Sequence, residues 1–500
     1  MIQRLLIANR GEIAVRIARA CRELGIETVA VYSDADAGAA HVAVADRAVR
    51  LGPAPAVDSY LNVDALLGAA RTANADAVHP GYGFLSENAG FAAACRDAGH
   101  VFVGPPPEAM ALMGSKINAR RLAESAGVPV VPGQTPADQS DAGIVGALEM
   151  VGLPALVKAS AGGGGRGMRE VRDLAGAASM VQSARREALA AFGDGTLYVE
   201  RLIEKPHHVE VQIFADAHGG VVHLFERECS VQRRHQKVIE ESPSPQLTPV
   251  LRQRMTDAAV RAARAAGYVN AGTFEFLVDL SHGASDEAPF YFLEMNTRLQ
   301  VEHPVTEQVA GVDLVRAQLL VASGEMLPWT QASLSQRGHA IEARVYAEDP
   351  AQGFIPQAGR LLLYREPARP GVRIDSGFRE GDTIAVNYDA LLAKVIATAE
   401  TRDLAIARLS SALRDFPVLG IRTNIPFLVR VLESEAFRAG RVHTGFLDAE
   451  GAHLAADPDL APPEFLRSVV DEARHLPQLV SGEPGGAWDP WQRTRGWSVR

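Results

Sequence analysis

The chain has 500 residues, of which 47% are hydrophobic and 22% charged, the composition of an ordinary globular protein. This length exceeds a single typical hydrophobic core and predicts two to four domains. The net charge of −10 argues against general nucleic-acid binding, and three scattered cysteines are too few for a disulfide framework or a zinc site. No apolar stretch is long enough to cross a bilayer and the start does not resemble a signal peptide, so we expect a cytoplasmic protein unless a targeting segment has been left out.

The first hundred residues alternate between strand-like and helical patterns. Apolar runs predict short strands, and helical spacing of apolar residues from Glu12 to Leu24 predicts a helix that ends at Gly25. Such alternation is typical of βαβ units and a parallel sheet. The dinucleotide-binding pattern G-x-G-x-x-G does not follow the first strand. We therefore predict an α/β opening domain that ends near residue 114 and lacks this fingerprint.

A glycine-rich loop lies in a second unit, predicted over residues 131–203. Its four consecutive glycines at 162–165 expose backbone N–H groups and permit positive φ, as close approach to phosphate requires. Lys158 precedes the loop at the end of an apolar run. The loop lacks the Gly-Lys-Ser/Thr of a Walker sequence. We interpret it as a mobile lid over ATP phosphates, and the alternative is a flexible hairpin without a ligand.

Lysine is rare in this chain, which strongly prefers arginine. Only five of the 50 basic residues are lysines, at positions 116, 158, 205, 237 and 394. A compact ammonium suits a phosphate or a small oxyanion in a tight pocket better than the planar arginine fork. These positions are therefore candidate anion contacts, unless they are chance remnants of the bias.

Two strand-like runs further along carry acidic residues among aromatic ones. Glu275 lies in the first run, and Glu294 and Asn296 share one face of the second because side chains alternate along a strand. Two carboxylates and an amide oxygen on adjacent strands form a hard oxygen site suited to Mg²⁺. Exposed glutamates are the alternative, but both runs have a buried pattern, and a buried carboxylate requires a partner.

Two segments, 230–237 and 297–304, are dense in Arg, Lys, His, Gln and Glu. If the second segment stays extended, Arg298, Gln300 and Glu302 alternate onto one side, and we place the first segment across from it. Such a group can bind a small anion and deprotonate it. A solvated charged surface is the alternative, above all for the adjacent arginines in the first segment.

An ordered set of motifs closely resembles biotin carboxylase over roughly residues 1–447. The motifs are Ala8–Ala14, His79–Asn88, Met113–Lys116, Lys158–Ser160 with the glycine loop, Gln232–Lys237, Glu294–Thr306, Gly338–Arg344 and Tyr388–Lys394. The resemblance implies an α/β and α+β multidomain protein: a Rossmann-like N-terminal domain followed by an ATP-grasp fold. It places the N-terminal domain at 1–114, the ATP-grasp region at 115–323 with its lid at about 131–203, the C-terminal domain at 324–447, and a linker with the start of a truncated downstream domain at 448–500.

The resemblance also implies site residues, carried over position by position. ATP would contact Lys116, Lys158, Gly163, Gly164, Gly165, Glu200, Arg201, Ile203, His208, Gln232, His235 and Leu277. Mg²⁺ or Mn²⁺ would be held by Glu275, Glu294 and Asn296. Bicarbonate would be held by Lys237, Arg298, Gln300 and Val301. The catalytic residues would be Lys237, Arg298, Glu302 and Arg344.

The family mechanism assigns the steps that these residues would perform. Glu302 deprotonates bicarbonate, which attacks the γ-phosphate of ATP to give carboxyphosphate. Carboxyphosphate breaks down to CO₂ and phosphate, and the phosphate takes the N1 proton of biotin. Arg344 stabilises the resulting enolate, which captures CO₂.

Biotin would have to arrive on another domain or chain, because no Met-Lys pair of a carrier sequence occurs here. The tail segments Ala487–Trp491 and Arg495–Trp497 resemble the region that follows this domain in α subunits of acyl-CoA carboxylases, particularly the methylcrotonyl-CoA type. We therefore expect the front part of such a subunit. Its expected partners are a biotin carrier domain, a carboxyltransferase β subunit and further copies of itself. Binding to nucleic acid or to a membrane is not expected.

Smaller questions stay open. Arg16, Arg19 and Glu23 match the family's dimer contact, although a solvated helix face would look the same. Another ATP-grasp ligase is an alternative function, but the residues from Arg298 to Glu302 would then have no purpose. A non-catalytic assembly module is a further alternative, which the chemically competent residues at every assigned position disfavour.

Overall fold

The computed structural model describes residues 1–160 and 168–456. The predicted phosphate contacts Gly163, Gly164 and Gly165 lie outside the described residues, as do the tail segments that resemble acyl-CoA carboxylases. Within the described part, no helix combines the length and the apolarity that a membrane span requires. The predicted domain limits remain predictions.

A parallel five-stranded sheet opens the chain, as the alternating sequence patterns predicted. Leu6 of its first strand packs with Leu66 and Phe91, whereas the neighbouring Leu5 packs with Ile13 on the opposite face, so helices cover both sides. The strand order is β3-β2-β1-β4-β5. The elements are β1 (Arg4–Ile7), α1 (Gly11–Glu23), β2 (Glu27–Ser33), α2 (Ala40–Val44), β3 (Arg47–Gly52), α3 (Val63–Ala73), β4 (Ala77–His79), α4 (Ala89–Asp97), β5 (Val101–Phe102), α5 (Pro107–Gly114) and α6 (Lys116–Ser125).

A small antiparallel sheet with two helices follows. Its strand order is β6-β9-β7-β8, and its own core includes Ile144, Val157, Val181 and Val199. Ser140 caps the first helix by accepting a hydrogen bond from the backbone of Gly143. The elements are β6 (Gly133–Gln134), α7 (Asp141–Val151), β7 (Ala155–Ala159), β8 (Met168–Val171), α8 (Ala177–Phe192) and β9 (Leu197–Arg201).

An antiparallel eight-stranded sheet forms the centre of the fold, in the order β14-β13-β10-β11-β12-β15-β22-β20. In chain order, its first elements are β10 (His207–Ala215), β11 (Val221–Arg233), β12 (Gln236–Ser242), α9 (Pro249–Ala265), β13 (Asn270–Val278), β14 (Phe290–Asn296), α10 (His303–Ala310), α11 (Leu314–Ala322) and β15 (His339–Tyr346). The remaining elements are β16 (Glu348–Asp349), β17 (Ile355–Pro356), β18 (Gly359–Arg360), β19 (Leu363–Tyr364), β20 (Val372–Ser376), β21 (Thr383–Ile384), β22 (Leu391–Ala399), α12 (Arg402–Arg414), β23 (Val418–Leu419), α13 (Ile425–Glu433), α14 (Glu435–Arg438) and α15 (Phe446–Ala455).

The central sheet has one apolar and one polar face in its first half. On β10, Val209, Val211 and Ile213 belong to the core cluster that also contains residues of α9. Glu210 and Gln212 alternate with them and therefore point to the opposite face. Both polar side chains are fully buried, so they require partners on that face.

Candidate active site

A row of charged side chains crosses the polar face of the central sheet. Glu294 of β14 lies opposite Glu275 of β13, which in turn lies opposite Glu210 of β10. Directly opposed residues of an antiparallel pair point to the same face. Lys237 of β12 and Arg344 of β15 continue the row across the sheet. We call these five residues the charged row.

The ammonium of Lys237 lies among three carboxylates. Its Nζ is 2.5 Å from Oε2 of Glu210, 2.8 Å from Oε1 of Glu275 and 2.6 Å from Oε1 of Glu302. An ammonium has three donors, and each donates to one of these oxygens. Lys237 therefore connects the predicted metal ligand Glu275 with the predicted base Glu302.

Glu302 comes from a turn before α10 and not from an extended segment. The extended backbone that we assumed for residues 297–302 is wrong at its end, where Val301 and Glu302 form a turn with φ −81° and ψ 10° at Glu302. The cause is the immediate start of α10 at His303, which is followed by Pro304 in the first helical turn. The turn, rather than alternation, directs the Glu302 carboxylate to the charged row.

Each oxygen of the Glu302 carboxylate binds one cation. Oε1 accepts from Lys237, and Oε2 accepts from Nη2 of Arg344 at 2.9 Å. Burial alone would raise the pKa of Glu302, but the charges of Lys237, Arg344 and Arg227 outweigh burial and hold the pKa well below its usual range. The fully buried Glu302 is therefore held in its ionised form by these cations.

Of the predicted bicarbonate residues, Lys237 contacts this carboxylate directly, and Arg298 contacts Gln300 of the same segment. Arg298 donates to Glu87 at 3.0 Å and to the side-chain oxygen of Gln300 at 3.3 Å. The side-chain nitrogen Nε2 of Gln300 is buried and has no hydrogen-bond partner within the described structure. A buried donor without a partner is unfavourable, so it is suited to an acceptor from a bound molecule.

The three predicted metal ligands are brought together. Asn296 donates to Oε1 of Glu275 at 2.7 Å, and Lys116 lies 4.0 Å from Glu294. Burial and the charge of Glu275 raise the pKa of Glu294. A divalent cation would relieve the repulsion between these carboxylates, and oxygen ligands of this kind are those that Mg²⁺ prefers. The residues therefore fit Mg²⁺ or Mn²⁺.

The predicted phosphate contact Lys158 is held by Glu200. Lys158 Nζ lies 2.8 Å from Oε2 of Glu200, whose Oε1 accepts from Arg120 at the same distance. Sequence reasoning missed Arg120. Its position four residues after Lys116 on α6 could have indicated it, because this spacing places both cations on one side of the helix.

The other predicted nucleotide contacts are more scattered. His208 Nε2 lies 2.9 Å from Glu275, and Leu277 is opposite His208 in the sheet. Gln232 is buried, whereas His235 is exposed at the tip of the β11–β12 hairpin. Ile203 lines a cavity of about 860 Å³, and Arg201 is exposed at the end of β9. Within the described residues, His235 and Arg201 lie outside the ion-paired group.

Two further charged residues support the charged row and were missed by sequence reasoning. Arg227 is fully buried and donates to Glu210 at 2.5 Å and to Gln212 at 2.8 Å. Glu240 accepts from Nε of Arg344 at 2.6 Å. Alternation along β11 was the available signal for Arg227. Alternation along β12 would place Glu240, three residues after Lys237, on the opposite face, and the register shift between β11 and β12 is a feature that the sequence does not show.

We expect replacement of Arg227 with methionine to lower the free energy of unfolding by about 3–5 kcal/mol, because it leaves buried acceptors without their donor. Denaturant unfolding of wild type and variant under the same conditions measures the difference. The exposed Arg234 at the hairpin tip provides the control: its methionine variant should stay within about 0.5 kcal/mol of wild type. Equal stability of both variants would contradict the structural role of Arg227.

Three family profiles match successive parts of the chain. They are the biotin carboxylase N-terminal domain over residues 1–110, the ATP-binding domain of the carbamoyl-phosphate synthase L chain over residues 115–330, and the biotin carboxylase C-terminal domain over residues 342–449. The predicted fold class, a parallel-sheet N-terminal domain followed by an ATP-grasp fold, is confirmed by these profiles and by similar solved structures.

Known proteins agree with these profiles. A biotin carboxylase of Halalkalibacterium halodurans is 50% identical over 447 residues, which cover 89% of this chain and 97% of the relative. The methylcrotonoyl-CoA carboxylase α subunit of Oryza sativa is also 50% identical, over 89% of this chain, which spans only 60% of that subunit's length. The biotin carboxylase domain dimer of Hydrogenobacter thermophilus 2-oxoglutarate carboxylase, solved with MgADP, ADP and bicarbonate, has a TM-score of 0.87 and 41% identity and covers 92% of this chain and 100% of that one. The chain belongs to the biotin carboxylase family.

Proposed function

We propose that this protein carboxylates biotin with bicarbonate at the expense of ATP, through carboxyphosphate. The observation that carries the proposal is the Glu302 carboxylate, which is ionised and bound by Lys237 on one oxygen and Arg344 on the other. A base of this kind beside cationic groups can bind a small oxyanion and remove its proton. The family supports this chemistry, because a related domain was solved with MgADP and bicarbonate.

Bicarbonate would bind to Lys237, Arg298, Gln300 and Val301. The negative charge of bicarbonate would partly neutralise the cations that now lower the pKa of Glu302. The pKa of Glu302 would then rise from its low value towards that of an effective base. The proton acceptor would thus become basic only when its substrate is present.

ATP would lie along the same face, with Lys116 and Lys158 at its phosphates. Both ammonium groups are already close to carboxylates, Glu294 and Glu200 respectively. When bound, Mg²⁺ neutralises charge on the transferring phosphates. Glu275, Glu294 and Asn296 would hold it. Arg344 would stabilise negative charge on the ureido oxygen of the biotin substrate.

The similar α subunits support a proposal for the partners of the whole protein. We propose that biotin arrives on a carrier domain and that a carboxyltransferase β subunit uses the product and selects the acyl acceptor, which is methylcrotonyl-CoA or else propionyl-, acetyl- or geranyl-CoA. Oligomers are expected as well. On α1, Arg19 and Glu23 are exposed and available for a dimer contact, whereas the buried Arg16 pairs with Glu307 at 3.0 Å within its own chain.

The proposed activity is tested by following ATP hydrolysis with purified protein. Hydrolysis should require bicarbonate and should increase when free biotin is added, with radiolabelled bicarbonate appearing in carboxybiotin. Hydrolysis that depends on ammonia or another amine and ignores biotin would identify a different ATP-grasp ligase. Calorimetry that detects no MgATP binding would identify a non-catalytic module.

We expect replacement of Glu294 with glutamine to weaken metal binding at least tenfold, because one of two charged ligands is lost. Titration of Mn²⁺ in the presence of a nonhydrolysable ATP analogue, followed by electron paramagnetic resonance, measures binding without turnover. The exposed Glu287 lies in the loop between the same two strands, and its glutamine variant should bind Mn²⁺ like wild type. Equal affinities in all three proteins would remove Glu294 from the metal site.

A further inference from the structure

Lys394 is a buried lysine to which the proposed mechanism gives no role. Its side chain is fully buried on β22, directly opposite Arg344 of β15. Opposed residues of an antiparallel pair point to the same face, so Lys394 stands beside the charged row. Burial of an unpaired ammonium is very unfavourable. The contacts of Lys394 must therefore explain why a cation is kept here.

Two of its contacts are carboxylates from other parts of the fold. Nζ of Lys394 lies 3.1 Å from Glu12 of α1 and 3.9 Å from Asp375 of β20. Asp375 also forms an ion pair with Arg373 at 2.7 Å, so its charge does not depend on Lys394 alone. These ion pairs account for the charge of Lys394 but not for the third contact.

The third contact is the backbone of the turn that carries Glu302. Lys394 donates to the carbonyl oxygen of Val301 at 2.8 Å, across 93 positions of sequence. The carbonyls on either side accept from local groups: that of Gln300 from His303 and that of Glu302 from Val305. The Val301 carbonyl thus depends on a distant side chain.

We propose that Lys394 is a positioning residue for the bicarbonate site, which it serves by fixing the peptide between Val301 and Glu302. The inference rests on the proposed function, in which this turn holds bicarbonate and presents its base. A peptide unit is rigid and planar. A hydrogen bond to the Val301 carbonyl therefore also sets the direction of the Glu302 N–H group. Arg344 holds the side chain of Glu302 from the next strand, so two neighbouring cations hold the backbone and the carboxylate of one turn.

Replacement of Lys394 with methionine removes the ammonium and keeps the length of the side chain. We expect the KM for bicarbonate to rise about tenfold, equivalent to about 1.4 kcal/mol, a normal value for one hydrogen bond from a charged donor. The KM for ATP should stay within about twofold of wild type, because the turn is not a predicted nucleotide contact. Steady-state ATP hydrolysis at varied bicarbonate and varied ATP measures both constants.

A double variant separates positioning from simple charge balance. Lys394→Met leaves Glu12 without its cation, so Lys394→Met/Glu12→Gln removes both members of the pair. We expect the double variant to regain melting temperature relative to Lys394→Met but to keep the raised KM for bicarbonate. Glu12→Gln alone should leave this KM near wild type, since Lys394 still reaches Val301.

Two results would overturn the inference: an unchanged KM for bicarbonate in Lys394→Met, or a return of this KM to the wild-type value in the double variant. If Lys394→Met does not fold, the test is the KM for bicarbonate of the double variant compared with that of Glu12→Gln. Wild-type protein without bicarbonate-dependent ATP hydrolysis would instead refute the proposed function, so the two failures are distinguishable.

Discussion

Replacing Glu302 with glutamine is expected to lower kcat for bicarbonate-dependent ATP hydrolysis about 10³-fold, within the range known for loss of a general base. Glutamine keeps the size and shape of the side chain, removes its charge and basicity, and turns one of its two acceptor oxygens into an NH₂ donor that faces a cation. Lys237 retains Glu210 and Glu275 as partners, and Arg344 retains Glu240, so the site should stay folded. Initial rates at saturating ATP and bicarbonate measure the loss.

The matched control for this variant lies on the same sheet. Glu241 is a buried glutamate that accepts from His339 at 2.6 Å and from Arg402 at 2.7 Å. It follows Glu240 on β12 and therefore points to the opposite face of the sheet. Glu241→Gln should lower stability but leave kcat within about threefold of wild type. Similar rates for Glu302→Gln and wild type would remove Glu302 as the base.

Much of the fold could be predicted because its local patterns are strong. Apolar runs and helical spacing are sufficient to predict β1, α1 and β2 of the opening sheet from the sequence alone. Alternation correctly predicts that Glu294 and Asn296 share one face of β14. These predictions depend on period and burial, which a sequence records directly.

The contacts of the site could not be predicted in the same way. Nothing in the sequence near Lys237 indicates that Glu210 of β10 and Glu275 of β13 share its ammonium. Such contacts are set by strand order and register, which residues distant in sequence determine together. The turn at Glu302 was missed for a different reason: the start of α10 overrides the extended pattern that precedes it.

The family resemblance supplied site residues that periodicity could not, but it left out the residues that hold them. Arg227 and Glu240 are buried and each contacts a side chain of the site. A set of ligand-binding residues omits such groups because they do not touch a ligand. They become visible only when each buried charge must be given a partner.

Replacing Arg344 with methionine is expected to lower kcat for biotin carboxylation about 10²- to 10³-fold, because a charge that stabilises the transition state is lost. The structure adds a second consequence. Arg344 binds Glu302 at 2.9 Å and helps to hold its pKa below the usual range. Removal of a positive charge disfavours the ionised carboxylate, so the pKa of Glu302 rises.

The two effects of this variant can be separated by their pH dependence. A base with a raised pKa becomes protonated at higher pH, so the acid limb of kcat/KM for bicarbonate should move upward in pH. Lost stabilisation of biotin charge alone would lower the rate and leave that limb in place. Arg402→Met is the control, because Arg402 pairs with Glu241 on the other face, and its acid limb should match wild type. An unshifted limb in Arg344→Met would show that Arg344 does not control the protonation of Glu302, and its contribution would then be confined to the carboxylation step.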